Sequence, residues 1–221
     1  MKAKLGNIFM GLGILLLLGA LVLFALNQWE ARQAKESAKE LMPQLVEKIQ
    51  ERETAPQQET ITPEGTTLPE TTEETILPGT PPELLTPEQL KMTEVEIDGD
   101  HYIGYVSIPS VELELPVMSG WDYYKLKVAP CRYSGTLLGN DLVIMAHNYV
   151  GHFRELSQVA VGDAVFFVDM DGGITEYQVV ALDVLTPKDV EEMTAGNYDL
   201  TLFTCTIGGR SRVTVYCDRA E

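Results

Sequence analysis

The most informative stretch is Thr201-Leu202-Phe203-Thr204-Cys205-Thr206-Ile207-Gly208-Gly209-Arg210-Ser211-Arg212-Val213-Thr214-Val215-Tyr216-Cys217. Two short apolar or alternating runs, residues 200–204 and 212–217, flank a six-residue connection that contains two glycines. Such a pattern predicts two antiparallel strands joined by a loop. Side chains alternate across a strand, so Val213, Val215 and Cys217 share one face and Arg212, Thr214 and Tyr216 the other. If the strands pair across the loop, Cys205 and Arg212 stand opposite each other on one face, with Arg210 inside the loop. A permanent cation a few ångströms from a thiol favours the thiolate, whose ordinary pKa is about 8.5. No carboxylate lies close to Arg212 in the local sequence, which suggests a role beyond structural ion pairing.

Outward from this hairpin, similar runs recur at 102–108, 113–117, 141–146, 164–168 and 175–185. Turn signals separate them, among them Ile108-Pro109-Ser110, Val161-Gly162-Asp163 and Asp171-Gly172-Gly173. Seven or eight short strands at this spacing predict a mainly β domain, a closed barrel or a sandwich. Helical pattern is sparse, with short pieces expected at 121–128 and 189–193. The composition changes near Lys91, and residues 91–221 have the usual size of one domain.

The N-terminal part is different. Residues 5–26 carry no charge and include one strongly polar member, Asn7. A bilayer core needs about 20 helical residues, so this run is long enough to span it. A signal peptide's apolar region is shorter, about 7–15 residues, and Ala25-Leu26-Asn27 is a poor cleavage site. The expectation is therefore an uncleaved anchor after a stub of residues 1–4. Basic residues on the two sides are nearly balanced. The tiny N-terminal stub makes an N-inside, C-outside arrangement the simpler one. Residues 27–53 are rich in helix formers, and Leu41, Leu45, Val46 and Ile49 recur at helical spacing, so an amphipathic juxtamembrane helix is expected. Pro43 would kink it or mark its first turn. Residues 54–90 are rich in Thr, Pro and Glu and predict a disordered spacer.

The formal net charge is −17, of which residues 51–100 supply −11, from thirteen acidic and two basic residues. Acidity is thus a local property. With no basic patch to neutralise phosphates, a nucleic-acid role is disfavoured. Three cysteines, Cys131, Cys205 and Cys217, are too few for a disulfide framework and lack zinc-type spacing. Free cysteines are usually buried and inert, and that reading stands for Cys131 and Cys217. Of the three histidines, His101 sits in a charged stretch and His152 in a loop or helical turn, whereas His147 ends the apolar run 142–146. A lone histidine is more often structural than catalytic, and spacing alone does not select His147.

At this point the residues resemble a known family. Thr201-Leu202-Phe203-Thr204-Cys205 is similar to the TLxTC signature of sortases, and Arg212 stands where the family's arginine falls. Ile144-Met145-Ala146-His147-Asn148 resembles the strand that delivers the sortase histidine, although many members have Gly where this chain has Ala146. Gly104-Tyr105-Val106-Ser107-Ile108-Pro109 and Leu115-Pro116-Val117 resemble the opening strands. The resemblance implies an eight-stranded sortase barrel with one or two short helices and with His147, Cys205 and Arg212 grouped at one groove, and it makes Thr204 a candidate substrate contact. The short 185–200 segment leaves no room for the long helical insertion of class B members, so the core looks nearer classes A, D or E.

The implied activity is transpeptidation: an LPxTG-like sorting signal of a surface protein or pilin is cleaved and passed to an amine of peptidoglycan or a pilin. The enzyme would be membrane-held, with the N-terminus cytoplasmic and the catalytic domain extracellular. A free thiol at Cys205 is expected, and no cofactor. Some class A members bind calcium near this groove, and Asp189, Glu191 and Glu192 are the residues that could serve. Two fragments, Leu68-Pro69-Glu70-Thr71-Thr72 and Leu77-Pro78-Gly79-Thr80, look like near misses of the sorting signal; such matches arise easily by chance in this tract, and a pseudosubstrate or self-inhibitory role is the alternative. A cysteine peptidase that uses water as acceptor would employ the same three residues. A non-catalytic anchored β-domain would leave Cys205 with ordinary thiol reactivity.

Overall fold

The computed structural model describes residues 2–54, 86 and 90–220, with side chains from residue 10 onward. The two sorting-signal-like fragments and nearly all of the expected spacer lie outside the described residues.

Among the described residues nine strands form one sheet: β1 (Val95–Ile97), β2 (Asp100–Ile108), β3 (Leu113–Met118), β4 (Cys131–Ser134), β5 (Leu142–Ala146), β6 (Ala164–Asp169), β7 (Ile174–Leu185), β8 (Leu200–Cys205) and β9 (Arg212–Arg219). Their order is β1-β2-β3-β4-β5-β8-β9-β7-β6, and pairing of β2 with β6 closes the last eight into a ring. The expected eight-stranded barrel is thus present, with β1 as an extra strand on the first residues of β2. Closure removes the sheet edges that an open sheet would have to protect. It also brings backbones close together. Gly104, at φ +143°, sits in β2 between Val117 of β3 and Asp169 of β6, and a Cβ there would collide with the Val168 carbonyl.

The alternation expected from the sequence fills the ring. Ile144, Leu200, Leu202, Val215 and Cys217 point into the main core. Val143, Phe203 and Tyr216 point outward and form a second cluster with Leu185 and Met193. The sparse helical signals become a 3-10 turn at Lys125–Lys127 and a single turn, α2 (Val190–Met193). Strand β4 was not foreseen. It has only four residues, and its pattern is one buried position followed by three half-buried ones rather than an alternation.

The N-terminal helix, α1 (Lys2–Thr54), is continuous through the expected anchor and the juxtamembrane segment. At 1.5 Å per residue it is about 80 Å long. Leu15, Leu16, Leu17 and Leu18, successive positions that go right round the helix, are all exposed, and the helix is long and apolar enough to cross a membrane. Beyond them, Ala34, Ala38, Leu41, Leu45 and Ile49 are buried at spacings of three and four, one stripe of a helix laid along the barrel. Leu41, Leu45 and Ile49 pack on Tyr102, Met118 and Cys131. Pro43 marks no helix start; it lies inside α1 on the exposed side. At the far end Arg52 meets Asp171 of the β6–β7 turn at 2.7 Å.

His152 closes the contact near the other end of the stripe. It is fully buried, and neither ring nitrogen completes a hydrogen bond of ordinary geometry. Burial pushes its pKa down to about 4, against an upward pull from the nearby carbonyls of Ala34 and Val128. The unfolded chain would protonate this imidazole near pH 6.5. Folding therefore excludes a proton between pH 6.5 and 4, and stability is lost as pH falls through that window. The shift to about 4 corresponds to roughly 3 kcal/mol. Replacing His152 by Phe should flatten the pH dependence of urea unfolding between pH 6.5 and 4. An unchanged slope would refute this account.

Candidate active site

Strands β5 and β8 run parallel, with Met145 beside Phe203 and Ala146 beside Thr204. The next residues, His147 and Cys205, therefore leave the same edge of the barrel about one strand spacing apart, roughly 4.8 Å. Both follow inward-facing residues, so both are set toward the outer face. The hydroxyl of Thr204 donates to the Ala146 carbonyl at 2.8 Å and ties the two strands at their last shared rung. Thr204 also borders the groove described below, although its hydroxyl is committed to that bond. On the other side of β8, antiparallel β9 places Arg212 directly opposite Cys205. The register inferred from the six-residue loop is the one observed.

The loop is braced internally. Thr206 N–H donates to the Ser211 carbonyl at 2.9 Å, and Ser211 N–H returns to the Thr206 hydroxyl at 3.1 Å. Arg212 Nη1 donates to the carbonyls of Gly209 and Ser211, each at 3.2 Å. Among the described residues Arg212 forms no ion pair. Cys205 is half-buried and free. Cys131 and Cys217 are also free but fully buried, and burial pushes the Cys131 thiol up to about 12 and the Cys217 thiol higher still.

A groove of about 240 Å³ runs from these residues over the outer face. Its wall is an aromatic series in which Trp121 stacks on Tyr133 at 5.7 Å and Tyr133 meets Phe203 edge-on at 5.4 Å. Met145, Pro187, Val190 and Met193 complete an apolar floor and side. Sequence reasoning missed Tyr133 because it lies on the unforeseen β4. Asp189, Glu191 and Glu192 occupy the turn beyond this groove. Asp189 accepts the Thr186 N–H at 2.8 Å, and Glu191 and Glu192 are exposed. Among the described residues no three metal-ligating side chains are close enough to share an ion. His101 is exposed, 3.9 Å from Glu94, and lies apart from the groove.

His147 has a second set of neighbours that no local sequence signal revealed. The loop after it folds back, with Phe153 N–H donating to the His147 carbonyl at 3.2 Å. This places the Tyr149 ring on the imidazole, with centroids 4.7 Å apart. The Tyr149 hydroxyl donates to Glu30 Oε2 at 3.3 Å, and Lys127 pairs with Glu30 Oε1, also at 3.3 Å. Glu30 belongs to α1. Burial lowers the His147 pKa below its ordinary value, Lys127 pushes the same way, and Glu30 opposes both. A neutral imidazole able to accept a proton thus stands beside a free thiol, with an arginine across the strand pair.

A family model for the sortase domain matches residues 106–220. With more than half of its length matched, the chain belongs to the sortase family. Sortase A of Bacillus anthracis is 28% identical over 125 residues, 54% of this chain and 59% of that relative. Among solved structures, sortase A of Corynebacterium diphtheriae is 26% identical with a TM-score of 0.51, over 55% of this chain and 62% of that one. Sortase C1 of GBS pilus island 1 is 27% identical with a TM-score of 0.50, over 57% and 67% respectively. The chain thus spans about three-fifths of the length of its curated relative.

The His147 surroundings give a directional expectation. Glu30→Gln removes the carboxylate that raises the His147 pKa and leaves Lys127 unopposed. In an NMR titration of histidine-labelled protein the His147 midpoint should move to lower pH, whereas replacing the exposed Glu36 by Gln should leave it in place. A midpoint that stays put or rises in Glu30→Gln would overturn the assignment.

Proposed function

We propose that this protein is a membrane-anchored sortase that transfers an acyl group through a thioester on Cys205. The observation that supports the reading most is the register of β5, β8 and β9, which sets His147, Cys205 and Arg212 side by side at the head of an apolar groove. The substrate class is an LPxTG-like sorting signal on a surface protein or pilin. The apolar wall suits the leucine and proline of such a signal. The acceptor is an amine of cell-wall peptidoglycan or of a pilin subunit. Residues 5–26 cross the membrane with the N-terminus cytoplasmic, and the barrel lies outside the cell.

In the first step His147 takes the thiol proton, and the Cys205 thiolate attacks the carbonyl carbon of the signal's threonine. The carbon–sulfur bond forms, and negative charge collects on the carbonyl oxygen. Arg212 stabilises that charge with guanidinium donors left over after its two loop bonds. As the carbon–nitrogen bond breaks, the imidazolium gives its proton to the leaving amine. A lowered His147 pKa makes that imidazolium the stronger acid. In the second step the incoming amine attacks the thioester, His147 accepts the amine proton, and Cys205 leaves as thiolate. The reaction in this form draws on side chains alone and uses no cofactor. Thr204 holds the ends of β5 and β8 together and so keeps His147 and Cys205 in register.

Three measurements test this reading. A sorting-signal peptide incubated with and without an amine should give transfer product only with the amine; a product set indifferent to amine would mean hydrolysis. Cys205→Ala and His147→Ala should abolish transfer, and Arg212→Ala should lower it by about 10²–10³, the loss typical of an oxyanion donor. Alkylation of the native protein should modify Cys205 and spare buried Cys131 and Cys217. Equal reactivity at all three would remove the catalytic assignment.

A further inference from the structure

Helix α1 does not end where its apolar run ends. Residues 5–26 form the spanning stretch, and the same helix then carries the stripe from Ala34 to Ile49 that packs on the barrel. The height of the barrel above the bilayer is therefore set by a helix. Glu30 lies four residues beyond Leu26, a rise of about 6 Å. The headgroup layer on each side of the hydrocarbon core is about 5–7 Å thick. Glu30 consequently stands at the outer limit of the headgroups, and so do the groups that touch it, Tyr149 and Lys127.

Other contacts reach lower still. Asn27, Gln28 and Ala31, three of the first five residues past the apolar run, enclose a small pocket with Asn148, Val150 and Ile207. Asn148 and Val150 belong to the loop after His147, and Ile207 to the loop after Cys205. Both functional strands therefore end at the membrane-facing end of the barrel. The opposite end is marked by Arg52, which meets the β6–β7 turn. Arg52 lies 26 residues past Leu26, about 39 Å farther along the helix.

The chemistry of this end suits a lipid surface. Ile207 is 85% exposed, Trp29 58% and Val150 42%, three apolar side chains that water does not favour. Arg32, Arg154 and Arg210, each three or four residues along the chain from one of these side chains, are exposed as well, in a chain whose net charge is −17. The first carboxylate of α1 past the apolar run is Glu30, and it is occupied by Lys127 and Tyr149. Apolar tips and an aromatic ring interleaved with arginines form the pattern that enters the interface between headgroups and acyl chains.

We propose that loops 148–151 and 206–211 rest in the phospholipid headgroup layer of the bilayer that holds α1, so that Cys205 and His147 work at the membrane surface. This rests on the anchoring reading of residues 5–26. It implies that the groove takes peptide segments and amines presented within a headgroup's depth of the bilayer, as tethered substrates are, in preference to those tens of ångströms away.

The test uses the full chain in phospholipid nanodiscs, in a Cys205→Ala background where Cys131 and Cys217 are too buried to label. Single nitroxides are placed at Ile207→Cys, Asp171→Cys and Leu18→Cys. Relaxation by a gadolinium-chelating lipid headgroup reports proximity to the surface, and a water-soluble nickel complex reports exposure. The Ile207 label should relax several-fold more strongly with the gadolinium lipid than the Asp171 label, with Leu18 shielded from nickel. Equal relaxation at Ile207 and Asp171, with Leu18 still shielded, would overturn the proposal while leaving the anchor intact. A nickel-exposed Leu18 would instead remove the anchor, and the proposal with it.

Discussion

The parallel pairing of β5 with β8 is the constraint on which the site depends. A strand's side chains alternate, so a slip of one residue would turn Cys205 into the core and Thr204 out. Two features oppose that slip. Ile144 and Leu202 are neighbours inside the ring and Met145 and Phe203 outside it, so either face would lose its match. The Thr204 hydroxyl on the Ala146 carbonyl adds a bond at the last rung. Parallel strands also end at the same edge, so two residues far apart in sequence leave the sheet together. Antiparallel β9 then brings Arg212 back to that edge across a short loop.

The loop after β5 treats its two histidines in opposite ways. His147 stays half-buried at the groove that Cys205 also lines. His152, five residues later, is turned inward against α1 and burial holds it neutral. Spacing alone could not tell these apart, because both follow small or apolar residues. The difference comes from the backbone: Phe153 N–H on the His147 carbonyl and His152 N–H on the Tyr149 carbonyl curl the loop into a tight return. That return leaves the first imidazole outside and carries the second one in.

What the sequence made legible was local. The alternation in β8 and β9, the six-residue connection and the resulting opposition of Cys205 and Arg212 all depend on neighbours within a few residues, and strand periodicity encodes them directly. The stripe on α1 was partly visible through Leu41, Leu45 and Ile49. Ala34 and Ala38 continue it toward the site, but small residues do not register as an apolar face. Tyr133 and Glu30 were out of reach for different reasons. Tyr133 sits on a strand held by single or irregular pairings at both edges, too short for a period to show. Glu30 approaches His147 only through tertiary packing, and nothing near either residue announces the other.

That packing ties α1 to the surroundings of His147. Glu30 carries negative charge into a region where Lys127 would otherwise act alone on His147. The carboxylate is delivered by the same continuous helix that carries the long apolar run, and the stripe from Ala34 to Ile49 holds it in place. Lifting the barrel from α1 would expose that stripe and part Glu30 from Tyr149 and Lys127 together. The proton affinity of His147 is therefore coupled to the seating of the barrel on α1. An exposed ion pair of this kind contributes little to stability, about 0–1 kcal/mol. The apolar stripe supplies the docking energy, and Glu30 supplies the electrostatic consequence, so the two can vary independently: a substitution at Glu30 retunes the imidazole while the helix stays seated.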